Sequence, residues 1–266
     1  MSLMGSITSL QNPHVKAVER LIAKKRDRYR EQQYVVEGLR LVDHALSRGH
    51  RPVFVFHTAA FAATGKGAGL VRALADGDAP VWEVSPEILA AMTDTVTPQG
   101  LVAVLPMPAP EPDRVRRADL VLVLDALRTP GNVGTILRTA QATSVGAVIC
   151  APGTVDPYSP KVVRSGMGAQ FDLPLLIDVS WPEIASLLAG KQVLAASADG
   201  ESVMWDVALT GPTALIVGSE AHGIGPEASA LAQGRVRIPM VPSAESLNAA
   251  VATAALLFEA QRQRRA

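Results

Sequence analysis

Two short apolar runs in the last third of the chain, Thr213-Ala-Leu-Ile-Val-Gly218 and Arg235-Val-Arg-Ile-Pro239, constrain its fold most. Each opens into a loop of small and polar residues, Gly218-Ser-Glu-Ala-His-Gly-Ile-Gly225 and Val241-Pro-Ser-Ala-Glu-Ser-Leu-Asn248. A helical pattern then closes the chain, with Leu247, Val251, Ala254, Leu257 and Phe258 falling on one face. The pattern predicts two strands whose ends deliver Gly, Glu, Ser and Asn side by side. In open α/β sheets ligands bind in the crevice beyond the carboxyl ends of strands.

The rest of the chain repeats this alternation. Leu120-Val-Leu-Val-Leu124 is apolar at every position, as a strand buried on both faces of a parallel sheet must be. Ala147–Cys150, Leu175–Ile177 and Gln192–Ala195 read as further strands, with helices between them, including one over Pro182–Ala189. Such alternation predicts a mostly parallel sheet with helices on both faces. Upstream, Tyr34–Gly38, Val53–Phe56, Val81–Val84 and Leu101–Leu105 form a second, smaller α/β unit. Within it, Gly65–Gly69 reads as a flexible turn before a short helix. Pro106, Pro108, Pro110 and Pro112 suggest an extended, semi-rigid linker. The expected division is residues 1–106, a linker at 107–117, and residues 118–266.

Charge sharpens the picture. The 25 basic and 25 acidic residues cancel, but residues 1–51 hold ten Lys/Arg against five Asp/Glu. Much of that surplus lies on a helix predicted over residues 13–30, capped by Asn12 and started by Pro13. Lys24, Lys25 and Arg26 are its densest part. Such a run is either a solvated face or a phosphate-facing surface, and the arginine density makes the second reading competitive. A single cysteine, Cys150, excludes an internal disulfide and suits a reducing, cytoplasmic setting. No signal peptide and no membrane span are expected, because no apolar run approaches the roughly 20 residues a span needs.

Several chemistries lack their residues. There is no Gly-rich phosphate loop with lysine, no G-x-G-x-x-G, and no G-x-S-x-G elbow. The five histidines have no metal-ligand spacing, so no metal is expected; only His222 lies near the predicted crevice. What remains is Asn132-x-Gly134-x-x-x-Arg138 in an otherwise small and apolar helix. Burying a lone arginine there is costly unless it is paired. Glu220 is the obvious partner, whether the pair is structural or functional.

These segments carry a resemblance. Asn132–Arg138, Val217-Gly-Ser-Glu-Ala-His-Gly223, and Ile238-Pro-Met240 with Ser246-Leu-Asn248 resemble, in order and near the family spacing, the three motifs of the SpoU (TrmH-like) RNA ribose methyltransferases. Lys161-Val-Val-Arg-Ser-Gly-Met-Gly168 resembles another family segment. Ile7–Lys16 and Val35–Gly38 are similar to the substrate-binding domain that many of these enzymes carry. Pro242 stands where the family commonly has glycine, and Arg164-Ser-Gly where it often has Arg-Ala-Ser.

The resemblance implies an α/β SPOUT catalytic domain with a deep trefoil knot, an N-terminal L30e-like α/β domain, and a homodimer with its active site near the interface. It implies S-adenosylmethionine as cofactor and methyl transfer to a ribose 2′-hydroxyl of RNA, with ribosomal RNA favoured over transfer RNA. A non-catalytic RNA-binding or ribosome-assembly factor on the same fold is the alternative. Residue by residue, it implies a catalytic set of Asn132, Arg138, Glu220, Ser246 and Asn248. Gly218, Glu220, Ile238, Met240, Ser246, Leu247 and Asn248 would hold the cofactor. Lys24, Lys25, Arg26 and Arg164 are the expected RNA contacts.

Overall fold

The computed structural model describes residues 3–219, 223–241, 243 and 246–265. Their contacts divide the chain into two compact units: residues 1–108 with 158–171, and residues 109–157 with 172–266.

In the first unit the strands are β1 (Leu3–Ile7), β2 (Gln33–Glu37), β3 (Phe54–His57), β4 (Val81–Val84) and β5 (Leu101–Pro106). They form one sheet in the order β1-β4-β3-β5-β2. β1, β4 and β3 run parallel, while β5 is antiparallel to both β3 and β2. Phe54, Phe56 and Trp82 stack on one face over Val15, Val18 and Leu21 of the first helix. The edge strand β1 lies outside the strands expected from the sequence, because its residues, Leu-Met-Gly-Ser-Ile, show no strand periodicity.

Three local expectations change. Asn12 caps the first helix as predicted, accepting a hydrogen bond from the His14 N–H at 2.9 Å. That helix is not continuous to residue 30, however. It ends at Ala23, Lys24 is extended, and a second helix runs over Lys25–Glu31. Arg28 turns back and donates to the carbonyls of Leu21 and Ile22, closing the first helix's C-terminus with a buried guanidinium. Gly65–Gly69 is helical rather than a turn: the helix spans Gly65–Ala75, capped by Thr64 on the Gly67 N–H. A side chain at Gly67 would fall 2.0 Å from the Phe61 carbonyl oxygen, so glycine there serves close packing. The proline-rich stretch is extended only in part, since Pro112 starts a helix to Arg117. Its acidic and basic residues pair three apart, its Val115 is buried, and Lys191 Nζ caps the carbonyls of Arg116 and Ala118.

Residues 158–171, expected with the C-terminal domain, pack in the first unit. Tyr158 meets the buried Tyr34 ring at 4.8 Å, His50 bonds the Phe171 carbonyl, and Arg164 pairs with Asp94. Local sequence pattern carries no record of such docking.

The second unit holds β6 (Leu120–Leu124), β7 (Ala147–Cys150), β8 (Leu175–Ile177), β9 (Gln192–Ala196), β10 (Ser202–Val203), β11 (Thr213–Val217) and β12 (Gly234–Arg237). All paired strands of this sheet are parallel, in the order β10-β12-β9-β11-β6-β7-β8. Helices Pro130–Ala142 and Ala249–Arg265 pack together. The buried face of the last helix differs from the predicted stripe. Ala249, Ala250, Thr253, Leu256, Leu257 and Ala260 are buried, whereas Val251 and Phe258 are each more than half exposed.

Candidate active site

A cleft of about 330 Å³ opens at the carboxyl ends of β9, β11 and β12 and runs along the start of the last helix. It lies within the size range of small-molecule sites. Of the residues expected to hold a cofactor, Gly218, Ile238, Met240, Ser246 and Leu247 line it. Glu220, His222 and Pro242 lie outside the described residues.

The glycine loop is built to bring backbone to the cleft. A side chain at Gly218 would sit 2.0 Å from the Gly223 carbonyl oxygen, so only glycine lets the loop close. Gly223 adopts a φ of 63° and donates its N–H to the Ser219 carbonyl at 2.8 Å. Asp125, just past β6, clamps both ends of this loop. Its N–H donates to the Val217 carbonyl at 2.9 Å, and its carboxylate accepts the Gly225 N–H at 2.6 Å. Burial pushes the Asp125 pKa up; the Gly225 bond opposes the shift and Glu227 adds to it.

The first and third motifs meet through two amides. Asn248 Oδ1 accepts the N–H groups of Ala250 and Val251, capping the last helix. That bond fixes the amide, so Asn248 Nδ2 donates to Asn132 Oδ1 at 3.1 Å. Asn132 is thereby oriented by a residue 116 positions later. Arg138 is exposed on the same helix as Asn132, and no described residue pairs with it. The expected cost of burying it therefore does not arise.

The basic residues separate. Lys24, Lys25 and Arg26 are exposed at the break between the two N-terminal helices. Arg164 instead makes a two-point ion pair with Asp94 and is partly covered. The sequence reading missed Ser197 and Asp199, which line the cleft from the loop after β9. The signal available was a strand ending in Ala-Ser-Ala-Asp-Gly, a small-residue loop like those after β11 and β12. No group of three or more His, Cys, Asp or Glu side chains among the described residues could hold a metal.

Residues 119–258 match the SpoU rRNA methylase family, and residues 12–103 match the MRM3-like substrate binding domain. The chain belongs to the SpoU rRNA methylase family. An uncharacterized tRNA/rRNA methyltransferase of Synechocystis is 38% identical, over 98% of this chain and 94% of that one. A 23S rRNA uridine 2′-O-methyltransferase of Streptomyces viridochromogenes is 32% identical, over 97% and 92%. The crystal structure of the SpoU methyltransferase AviRb from that organism, in complex with AdoMet, superposes with a TM-score of 0.88 at 30% identity, covering 96% of this chain and 99% of that one. In this SpoU chain the second and third motifs line one crevice at the carboxyl edge of the parallel sheet, and the first meets the third through Asn132 and Asn248.

Proposed function

We propose that the protein transfers a methyl group from S-adenosylmethionine to a ribose 2′-hydroxyl of ribosomal RNA, of the 23S type. The observation that carries this reading is the Asn248–Asn132 bond beside a cleft formed by Gly218, Ile238 and Leu247. The cleft fits the cofactor's chemistry: small residues, three serine hydroxyls and a backbone loop that no side chain could enter.

S-adenosylmethionine, when bound, would supply a methyl activated on a sulfonium to the 2′-oxygen, with the hydroxyl proton going to a neighbouring RNA phosphate and S-adenosylhomocysteine left behind. The chain's part is to place the nucleophile and steady its charge. Arg138, a planar guanidinium with five N–H donors and no acceptor, positions the ribose or its phosphate rather than acting as base. Asn248 holds Asn132 in one rotamer, Ser246 offers a hydroxyl at the same wall, and Glu220 is the partner assigned to Arg138. Lys24, Lys25 and Arg26 engage RNA phosphates. Arg164 joins them by exchanging Asp94 for phosphate.

Three structural features belong to the same reading. The second unit carries a trefoil knot, and the first, made of residues 1–108 with 158–171, is L30e-like and binds RNA. The protein acts as a cytoplasmic homodimer, a reading supported by Val251 and Phe258, exposed two turns apart on the last helix. Among the described residues no helix is long and apolar enough to cross a membrane. Purified protein, S-adenosylmethionine and ribosomal RNA should yield a mapped 2′-O-methyl group that is missing from RNA of cells lacking the gene. Absence of any such ribose would refute the assignment, and a monomer by light scattering would refute the dimer.

A further inference from the structure

Asp199 is the one ionisable side chain among the described residues that line the cleft. Its loop is rigidly made. The Gly200 N–H bonds the Ser197 carbonyl, and Arg237 Nη1 donates to the carbonyls of Gly200 and Glu201 at 2.6 and 3.1 Å. A side chain at Gly200 would lie 2.8 Å from the Arg237 backbone nitrogen, so the turn is pressed against β12. The Ser197 hydroxyl donates to the Asp199 carboxylate. That bond, the residue's own N–H and nearby Arg235 hold its pKa below the usual range, so the carboxylate is ionised at neutral pH.

Sheet order says which end of a ligand this charge faces. β9 and β6 flank β11 on opposite sides. Asp199 follows β9, whereas Asn132 and Arg138 stand on the helix after β6. Adjacent strands lie about 4.8 Å apart, so the two groups start about 10 Å from each other across the cleft. A carboxylate near the sulfonium would favour the charged ground state over a transition state in which that charge is dispersing. One near the amino-acid end would pair with its ammonium but repel the carboxylate on the same carbon, so the two effects oppose each other. A vicinal diol has neither problem and offers two hydroxyl donors to a single carboxylate.

We propose that Asp199 binds the ribose 2′,3′-diol of the cofactor, with Ser197 and Arg237 as positioning residues for its loop. This rests on the cofactor assignment above. Titration calorimetry on the full chain tests it with S-adenosylhomocysteine and 5′-methylthioadenosine, which share the diol and differ in the amino-acid end. Asp199→Ala should weaken both by a similar factor, about tenfold to a hundredfold. Asp199→Asn, which keeps one acceptor oxygen, should fall between. Against 2′,3′-dideoxy-5′-methylthioadenosine, wild type and Asp199→Ala should bind alike. Unchanged affinity for methylthioadenosine in the alanine variant overturns the proposal. So does a loss confined to S-adenosylhomocysteine, which would put Asp199 at the amino-acid end. Failure of the wild-type chain to bind either compound would overturn the cofactor assignment itself.

Discussion

Each unit of the molecule has an edge where parallel strands end, and the two edges are finished differently. In the first unit the helices that follow β1, β3 and β4 are capped by the side chains of Asn12, Thr58 and Ser85, each accepting a backbone N–H. In the second unit the helices after β6, β8 and β11 start at Thr129, Ser180 and Gly225, and none of these makes a side-chain cap bond. Orphan N–H groups at a helix start need partners, and a hydroxyl cap supplies one from within. The first edge is thus satisfied by its own side chains. The second leaves those starts without a side-chain cap and turns Gly218, Ser219 and Gly223 to a cleft, and the cap it does have, Asn248, also carries the link to Asn132. A binding edge differs from a scaffold edge here in where the capping atoms come from.

The sharpest way to break this contrast is at Arg138. Arg138→Ala should cut methyl transfer about a hundredfold or more, with cofactor affinity by calorimetry within about threefold of wild type. Normal turnover would remove the residue from the chemistry. Next in size is Gly218→Ala, where the added methyl meets backbone at 2.0 Å. We expect a loss of about 1–3 kcal/mol in thermal stability together with weakened cofactor binding. The control is Gly211→Ala, where nothing lies within 4 Å of the new methyl, and it should change neither.

In the first unit, reversing Lys24, Lys25 and Arg26 to glutamate should weaken RNA binding and flatten its dependence on salt. An unchanged salt slope would make that surface merely solvated. Thr58→Ala and Ser85→Ala should each cost about 1 kcal/mol of stability and leave cofactor affinity alone. If either lowered that affinity, the distinction between the edges would fail.

The smallest effect concerns pH. Burial raises the Asp125 pKa in the folded state, so the folded protein binds more protons than the unfolded chain just above the ordinary aspartate range. Stability contributed at this site therefore falls as pH rises through that window. Asp125→Asn keeps an acceptor for the Gly225 N–H and removes the titration. Its melting temperature should gain on wild type as pH rises, and a parallel pH profile would show that Asp125 does not titrate there.

How much was legible beforehand follows from range. Strands such as Leu120–Leu124 and Thr213–Val217, the Asn12 cap, and the strand-helix alternation were readable because each depends on neighbours in sequence. The break at Lys24 was not, since it depends on Arg28 folding back onto carbonyls six and seven residues earlier. The exposed faces of Val251 and Phe258 were misread because a helical stripe does not say which neighbour covers it.

Periodicity and motif order alone determined the α/β class, the family and the residues around Gly218, Ile238 and Leu247. Tertiary structure alone brought Asn248 to Asn132, Asp125 to Gly225, Asp199 into the cleft and residues 158–171 into the first unit. The physical reason is that dihedral preference and side-chain period are set locally. Which strand ends lie side by side is set by sheet order, and the order β9-β11-β6 is written in no single stretch of the chain.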